Sequence, residues 1–308
     1  MSSADDPNLA LRLALRQANL PNLVRDTFHH SLFRLLRRLP IDLAPAAGRW
    51  LTLREIRANR PWVIERAREN LRRLRPELDD VAREALLQSF VNNLARFVGE
   101  VPTVGRQMSH GRVEIVGAEH LVNAVARGGT LLLALHLGNW EILGEAFQAL
   151  GLQVSTFYEE AETPTQTRIL REVRQSVGLS LLEPDVTGVR DALRQLQQGR
   201  AVGIFADEVR ETRVMAPFFG RPPHREGNLS IAARLARRAP GGVVVCFCLR
   251  HSSNRFRTIF LPGVDLGSVR QDLLSDTIAL NNLIEPIVLA HIDQWFFLDD
   301  LLECSPRP

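Results

Sequence analysis

Leu131-Leu-Leu-Ala-Leu-His-Leu-Gly-Asn-Trp-Glu-Ile142 decides how this chain of 308 residues is read. Five apolar residues, Leu131 to Leu135, predict a strand buried on both faces, as in a parallel sheet. His136 falls at the carboxyl end of that strand. Gly138 and Asn139 open a turn, and Glu141 to Leu150 predicts the helix that follows. Ligands of α/β proteins bind outside the carboxyl ends of strands, so a histidine there with a carboxylate close behind is a candidate for chemistry. On a regular helix, residues five apart lie about 140° apart around the axis. The two side chains therefore meet only if His136 stays on the turn and Glu141 reaches back. In that arrangement Glu141 orients one imidazole nitrogen while the other acts as a base.

The flanking segments extend the pattern. Pro61 to Leu74 and Pro76 to Val98 predict long arginine-rich helices, each with proline at or near its first turn. Beyond them come a strand near Val113, a helix over 118–127, the strand 130–135 and a helix over 139–150. Strand 152–157, helix 164–177, strand 179–182, helix 187–198 and strand 201–206 follow. A loop or short strand then runs to Phe219, before helix 226–238 and strands at 242–249 and 255–261. Gln271 to His291 reads as a closing helix. Strands separated by helices of this length predict an α/β fold with a mostly parallel central sheet flanked by helices. Residues 1–100 read as an N-terminal helical extension packed on a core of residues 101–308.

Composition narrows the partners. All 38 basic residues are arginines, set against 35 acidic ones, and a net charge of +3 is too small to point to nucleic acid. Three cysteines form no even framework and suggest a reducing compartment. Cys246 and Cys248 alternate on one face of a predicted strand and lack the partners a metal needs, so they read as small apolar side chains. No run approaches the roughly 18 to 20 apolar residues of a spanning helix. Leu9 to Leu20 is broken by Arg12 and Arg16, so no leader is expected. Phe28, Leu32, Leu35, Leu36 and Leu39 fall on one helical face, with Arg34, Arg37 and Arg38 largely elsewhere. Such a helix either lies in the headgroup layer of an anionic membrane or packs on its own domain.

His136-x4-Glu141 within His-Leu-Gly-Asn-Trp-Glu resembles the signature block of the bacterial late acyltransferases of lipid A biosynthesis, in the lysophospholipid acyltransferase superfamily. Further blocks follow in that family's order, over about residues 60–297. Arg200 to Asp207 is similar to its glycine, apolar strand and aspartate. Ala216-Pro-Phe-Phe-Gly220 resembles its Pro-Phe-Phe-Gly block. Gly227 to Arg238 resembles the next helix, and His291-x-x-Gln294-Trp295 the terminal block. The pattern departs at Ile292 and Asp293, where Pro-Glu is usual, and at Glu226 and Asn228 beside Gly227.

The resemblance implies transfer of an acyl chain from an acyl carrier protein or coenzyme A thioester to a lipid or glycolipid hydroxyl. It implies no cofactor and no metal. His136 is the expected general base and Glu141 its partner, with no covalent acyl-enzyme. Asn139 either donates a hydrogen bond in the site or caps the helix start. Arg174 and Arg190 match positions the family uses, and guanidinium forks suit phosphate. Asp207, at another strand end, is expected to hold an arginine or the substrate. Phe218 and Phe219 line an acyl groove or pack in the core. A peripheral position at the cytoplasmic face of the inner membrane is the expected location. Two other readings stay open: a thioester hydrolase on the same fold, and a non-catalytic lipid- or carrier-binding protein.

Overall fold

The computed structural model describes residues 20–161, 163–252, 254–266 and 272–302. Residues 9–19 of the stretch read for a leader, and Cys304, lie outside them. Four helices come first: α1 (Leu20–Arg38), α2 (Leu43–Asn59), α3 (Pro61–Leu74) and α4 (Asp80–Glu100). The chain then alternates through β1 (Val113–Val116), α5 (Ala118–Arg127), β2 (Thr130–Ala134), a 3-10 turn (Trp140–Ile142) and α6 (Leu143–Ala149). Next are β3 (Val154–Phe157), α7 (Pro164–Ser176), β4 (Ser180–Leu182), α8 (Val186–Gln197) and β5 (Ala201–Phe205). Strands β6 (Glu208–Arg210) and β7 (Arg213–Ala216) form a small antiparallel pair. Helix α9 (Gly227–Ala236), β8 (Gly242–Ser252), β9 (Arg255–Phe260) and α10 (Leu273–Ala290) complete the fold.

Helix starts follow local chemistry. Asp79, Thr163, Asp185 and Asp272 each accept a backbone N–H of the first turn of α4, α7, α8 and α10, satisfying donors that a helix leaves unpaired. Helix α2 falls within the extension expected to be helical and carries Pro45 and Gly48, residue types that often break helices. The structure uses Gly48 for contact instead: a Cβ there would stand 2.4 Å from the Gly99 Cα of α4, so the two backbones approach as only small residues allow.

Seven strands form one sheet in the order β1-β9-β8-β2-β5-β3-β4. From β8 to β4 all neighbours are parallel; β9 turns antiparallel to β8, and β1 pairs parallel with β9. The alternation of side chains sorts the core onto the two faces. Leu131, Leu133 and Leu135 join one apolar cluster with Val63, Leu71, Phe90, Leu235 and Ile284. Leu132 and Ala134 join the other, with Phe33, Leu121, Phe147 and Val173.

Two expectations change in the helices. The expected apolar face of α1 is divided: Phe33 and Leu36 are buried, whereas Phe28 and Leu35 are exposed. The helix packs against α7 and the turn Val101–Thr103, so part of its apolar surface is already used. At the other end, α10 is long and apolar enough to cross a membrane by length and composition, with a mean hydropathy of 1.3. Its polar residues work within the protein: Asp276 pairs with Arg237 just past α9, Asn281 accepts the Phe218 N–H, and Glu285 accepts the Phe219 N–H.

Candidate active site

Strand register builds the site. Ala134 of β2 pairs with Phe205 of β5, so two residues further along each strand bring His136 beside Asp207. The His136 ring places Nδ1 3.0 Å from Asp207 Oδ1, and the His136 backbone N–H donates to Oδ2 at 2.8 Å. The indole of Trp295 donates to the same Oδ2 at 3.0 Å. Asp207 is fully buried, and three donors converge on it. An ionised carboxylate only accepts, so the shared proton is assigned to His136 Nδ1, which leaves Nε2 as the acceptor. The His136 side chain keeps 19% of its surface exposed.

Among the described residues Glu141 makes no hydrogen bond to the imidazole with which it was expected to pair. Its carboxylate accepts from Arg174 Nη2 at 2.7 Å and Nε at 3.0 Å, and from the Trp140 indole at 3.1 Å. Burial works against the Arg174 charge, but the Glu141 carboxylate outweighs it and raises the guanidinium above its ordinary pKa. The physical reason is local: residues Trp140–Ile142 form a 3-10 turn, not the start of an α-helix, and Arg174 from α7 reaches the carboxylate first. Asp207, expected to hold an arginine or substrate, holds the histidine and a tryptophan.

Other expected residues scatter. Asn139 is fully buried and makes no cap; its Nδ2 faces Glu100 Oε2 at 3.4 Å and its Oδ1 has no partner. Arg190 lies exposed on α8. Phe218 packs in the core, whereas the Phe219 ring meets Trp295 at 5.5 Å and so sits one residue removed from Asp207. Cys246 and Cys248 are buried free thiols, each pushed up to about 12 by burial. Among the described residues no group of three or more His, Cys, Asp or Glu is arranged to hold a metal.

Aromatic rings complete the walls, and sequence reading did not collect them. Phe205 stacks on His136 at 4.2 Å, while Trp140 and Phe297 meet it edge-on at 4.9 Å. A crevice beside the turn is lined by Phe97, Trp140 and Phe296 together with Asn93 and Gln294. These rings come from four distant segments. Trp140 and Phe205 lie inside the sequence blocks described above; Phe97, Phe296 and Phe297 do not.

The backbone of the turn is equally determined. Gly138 has φ +58, and a Cβ there would stand 2.5 Å from the Cys248 carbonyl oxygen. Its N–H donates to the Gln294 carbonyl, and the Phe296 N–H donates to the His136 carbonyl. The segment after α10 therefore fastens the histidine turn from one side.

Residues 23–303 match the family described as bacterial lipid A biosynthesis acyltransferase. No curated protein sequence matches the chain. Among solved structures, the chain is similar to the 1-acyl-sn-glycerophosphate (LPA) acyltransferase PlsC from Thermotoga maritima at 12% identity. That alignment has a TM-score of 0.35 and covers 86% of this chain and 94% of the other.

Proposed function

The chain belongs to the bacterial lipid A biosynthesis acyltransferase family, and from that premise we propose that it moves a fatty acyl chain from a thioester to a hydroxyl of a lipid or glycolipid. His136 Nε2 takes the acceptor's O–H proton as the oxygen attacks the thioester carbonyl. The tetrahedral oxyanion collapses and expels the thiolate, which recovers the proton from Nε2. Asp207 holds the Nδ1–H tautomer and favours the imidazolium that forms. Glu141 and Arg174 act as a fixed ion pair that anchors Trp140 against the histidine. The observation that carries this reading is the fully buried Asp207 carboxylate on His136 Nδ1.

The donor thioester is that of an acyl carrier protein or coenzyme A. Purified protein given either donor should release free thiol only when a hydroxylated lipid is present, and mass spectrometry should show that lipid gaining one acyl chain. Equal thiol release without any acceptor would make the protein a hydrolase and sink the reading. Contact with a membrane is part of it: exposed Phe28 and Leu35 lie on α1 with Arg34, Arg37 and Arg38, a surface suited to an anionic headgroup layer. Co-sedimentation with anionic vesicles should weaken as salt screens these charges. Binding unchanged by salt and by Arg37→Glu with Arg38→Glu would rule that helix out as an electrostatic anchor.

A further inference from the structure

At the end of α4, far from His136 in sequence, Glu100 is fully buried. Its carboxylate receives Arg250 of β8 through two bonds, Nε at 2.9 Å and Nη2 at 2.5 Å. The third Arg250 nitrogen donates to Asn93 Oδ1 at 2.7 Å. The side chain of Asn139 rests on the same Glu100 carboxylate from the other direction. Asn139 is three residues past His136 and is itself fully buried, so its amide faces the protein and not a ligand.

The backbone of Arg250 is tied to the same turn. Its N–H donates to Gln294 Oε1 at 2.7 Å and its carbonyl accepts from Gln294 Nε2 at 3.0 Å. The Gln294 carbonyl in turn accepts the Gly138 N–H. The histidine turn is thus gripped twice, by Gln294 through its backbone and by Glu100 through Asn139. Arg96, one turn before Glu100, lies 3.5 Å from the carboxylate and continues through Asn254 to Asp42 between α1 and α2.

A buried carboxylate matched by a buried guanidinium is costly to desolvate and is weak as a source of net stability. What such a pair supplies well is direction, because the fork geometry of the guanidinium fixes the carboxylate. We infer that Glu100 is a positioning residue for the reaction: held by Arg250, it sets Asn139 and through it the placement of the His136 turn. The inference rests on His136 being the base.

Misplacement of a catalytic group by a fraction of an ångström costs rate and leaves ground-state binding nearly untouched. Glu100→Gln and Asn139→Ala should each lower kcat about ten-fold with KM changed by less than about two-fold. The double variant should be no slower than the slower single variant, since both cut one link. In a His136→Ala background, Glu100→Gln should leave the residual rate unchanged, because nothing remains to be positioned. If His136→Ala alone keeps wild-type activity, the base assignment fails. If it is inactive but Glu100→Gln still lowers the residual rate ten-fold, or if KM and not kcat changes, the positioning role is overturned. Should Glu100→Gln fail to fold, Asn139→Ala leaves the Glu100–Arg250 pair intact and carries the test alone; an unchanged kcat there also overturns it.

Discussion

Asp207 and Glu141 are both buried against the histidine turn, and their partners differ in kind. Asp207 is met by neutral donors: an imidazole, a backbone N–H and an indole. Glu141 is met by a guanidinium. Among the described residues no guanidinium meets Asp207, so under the proposed mechanism its charge is available to an imidazolium. The charge of Glu141 is matched before any substrate arrives. A carboxylate's chemical role is therefore set by what else reaches it, and its distance in sequence from a histidine is a poor guide.

The largest effect expected is that of His136→Ala, which should lower turnover by about 10² to 10⁴, the usual worth of a general base. Retention of more than about half the wild-type rate would remove the Asp207 corner from the chemistry altogether. Asp207→Asn comes next, at about 10²-fold or more, since an amide presents the wrong tautomer partner and stabilises imidazolium less. A turnover within about two-fold of wild type in this variant would take Asp207 out of the chemistry.

Glu141→Gln tests the other corner. It leaves the buried Arg174 without a counter-charge, which costs about 3–5 kcal/mol of stability when a buried pair is broken. Turnover should fall as Trp140 loses its anchor, by less than in Asp207→Asn. A larger loss of turnover in Glu141→Gln than in Asp207→Asn would exchange the two roles. Trp295→Phe removes one donor from Asp207 and should cost about 0.5–1.5 kcal/mol of stability with a modest loss of rate.

The smallest effect concerns the segment that follows Trp295. Burial, then the neighbouring Asp300 charge, pushes Asp299 up to about 7 from an ordinary 3.8, and burial pushes Asp300 up to about 6. Both groups bind protons more tightly folded than unfolded. Their contribution to stability is complete below the unfolded value near 3.8 and is lost as pH rises through 6 to 7. The melting temperature should therefore decline between about pH 4 and pH 7, and Asp299→Asn should flatten that decline. An unchanged slope in the variant would show that other groups govern it.

What the sequence settled on its own was periodic. The apolar run Leu131–Leu135, the helix spacings around it and their caps are local signals, and they placed nearly every strand of the parallel sheet and His136 at a strand end. Local signals gave the extension as helical without marking the bounds of α2, and they failed where a helix start tightened into the 3-10 turn at Trp140. They also set only the spacing from His136 to Glu141, which left four residues of turn free to aim the carboxylate either way. The pairing of β2 with β5 chose Asp207, because register is a property of two strands meeting and is written in neither alone. The hold of Glu100 and Arg250 on the turn is more distant still, joining residues 150 apart in the chain. Side chains that far apart meet only once the core has brought α4 against β8, so tertiary packing decided which polar groups became partners.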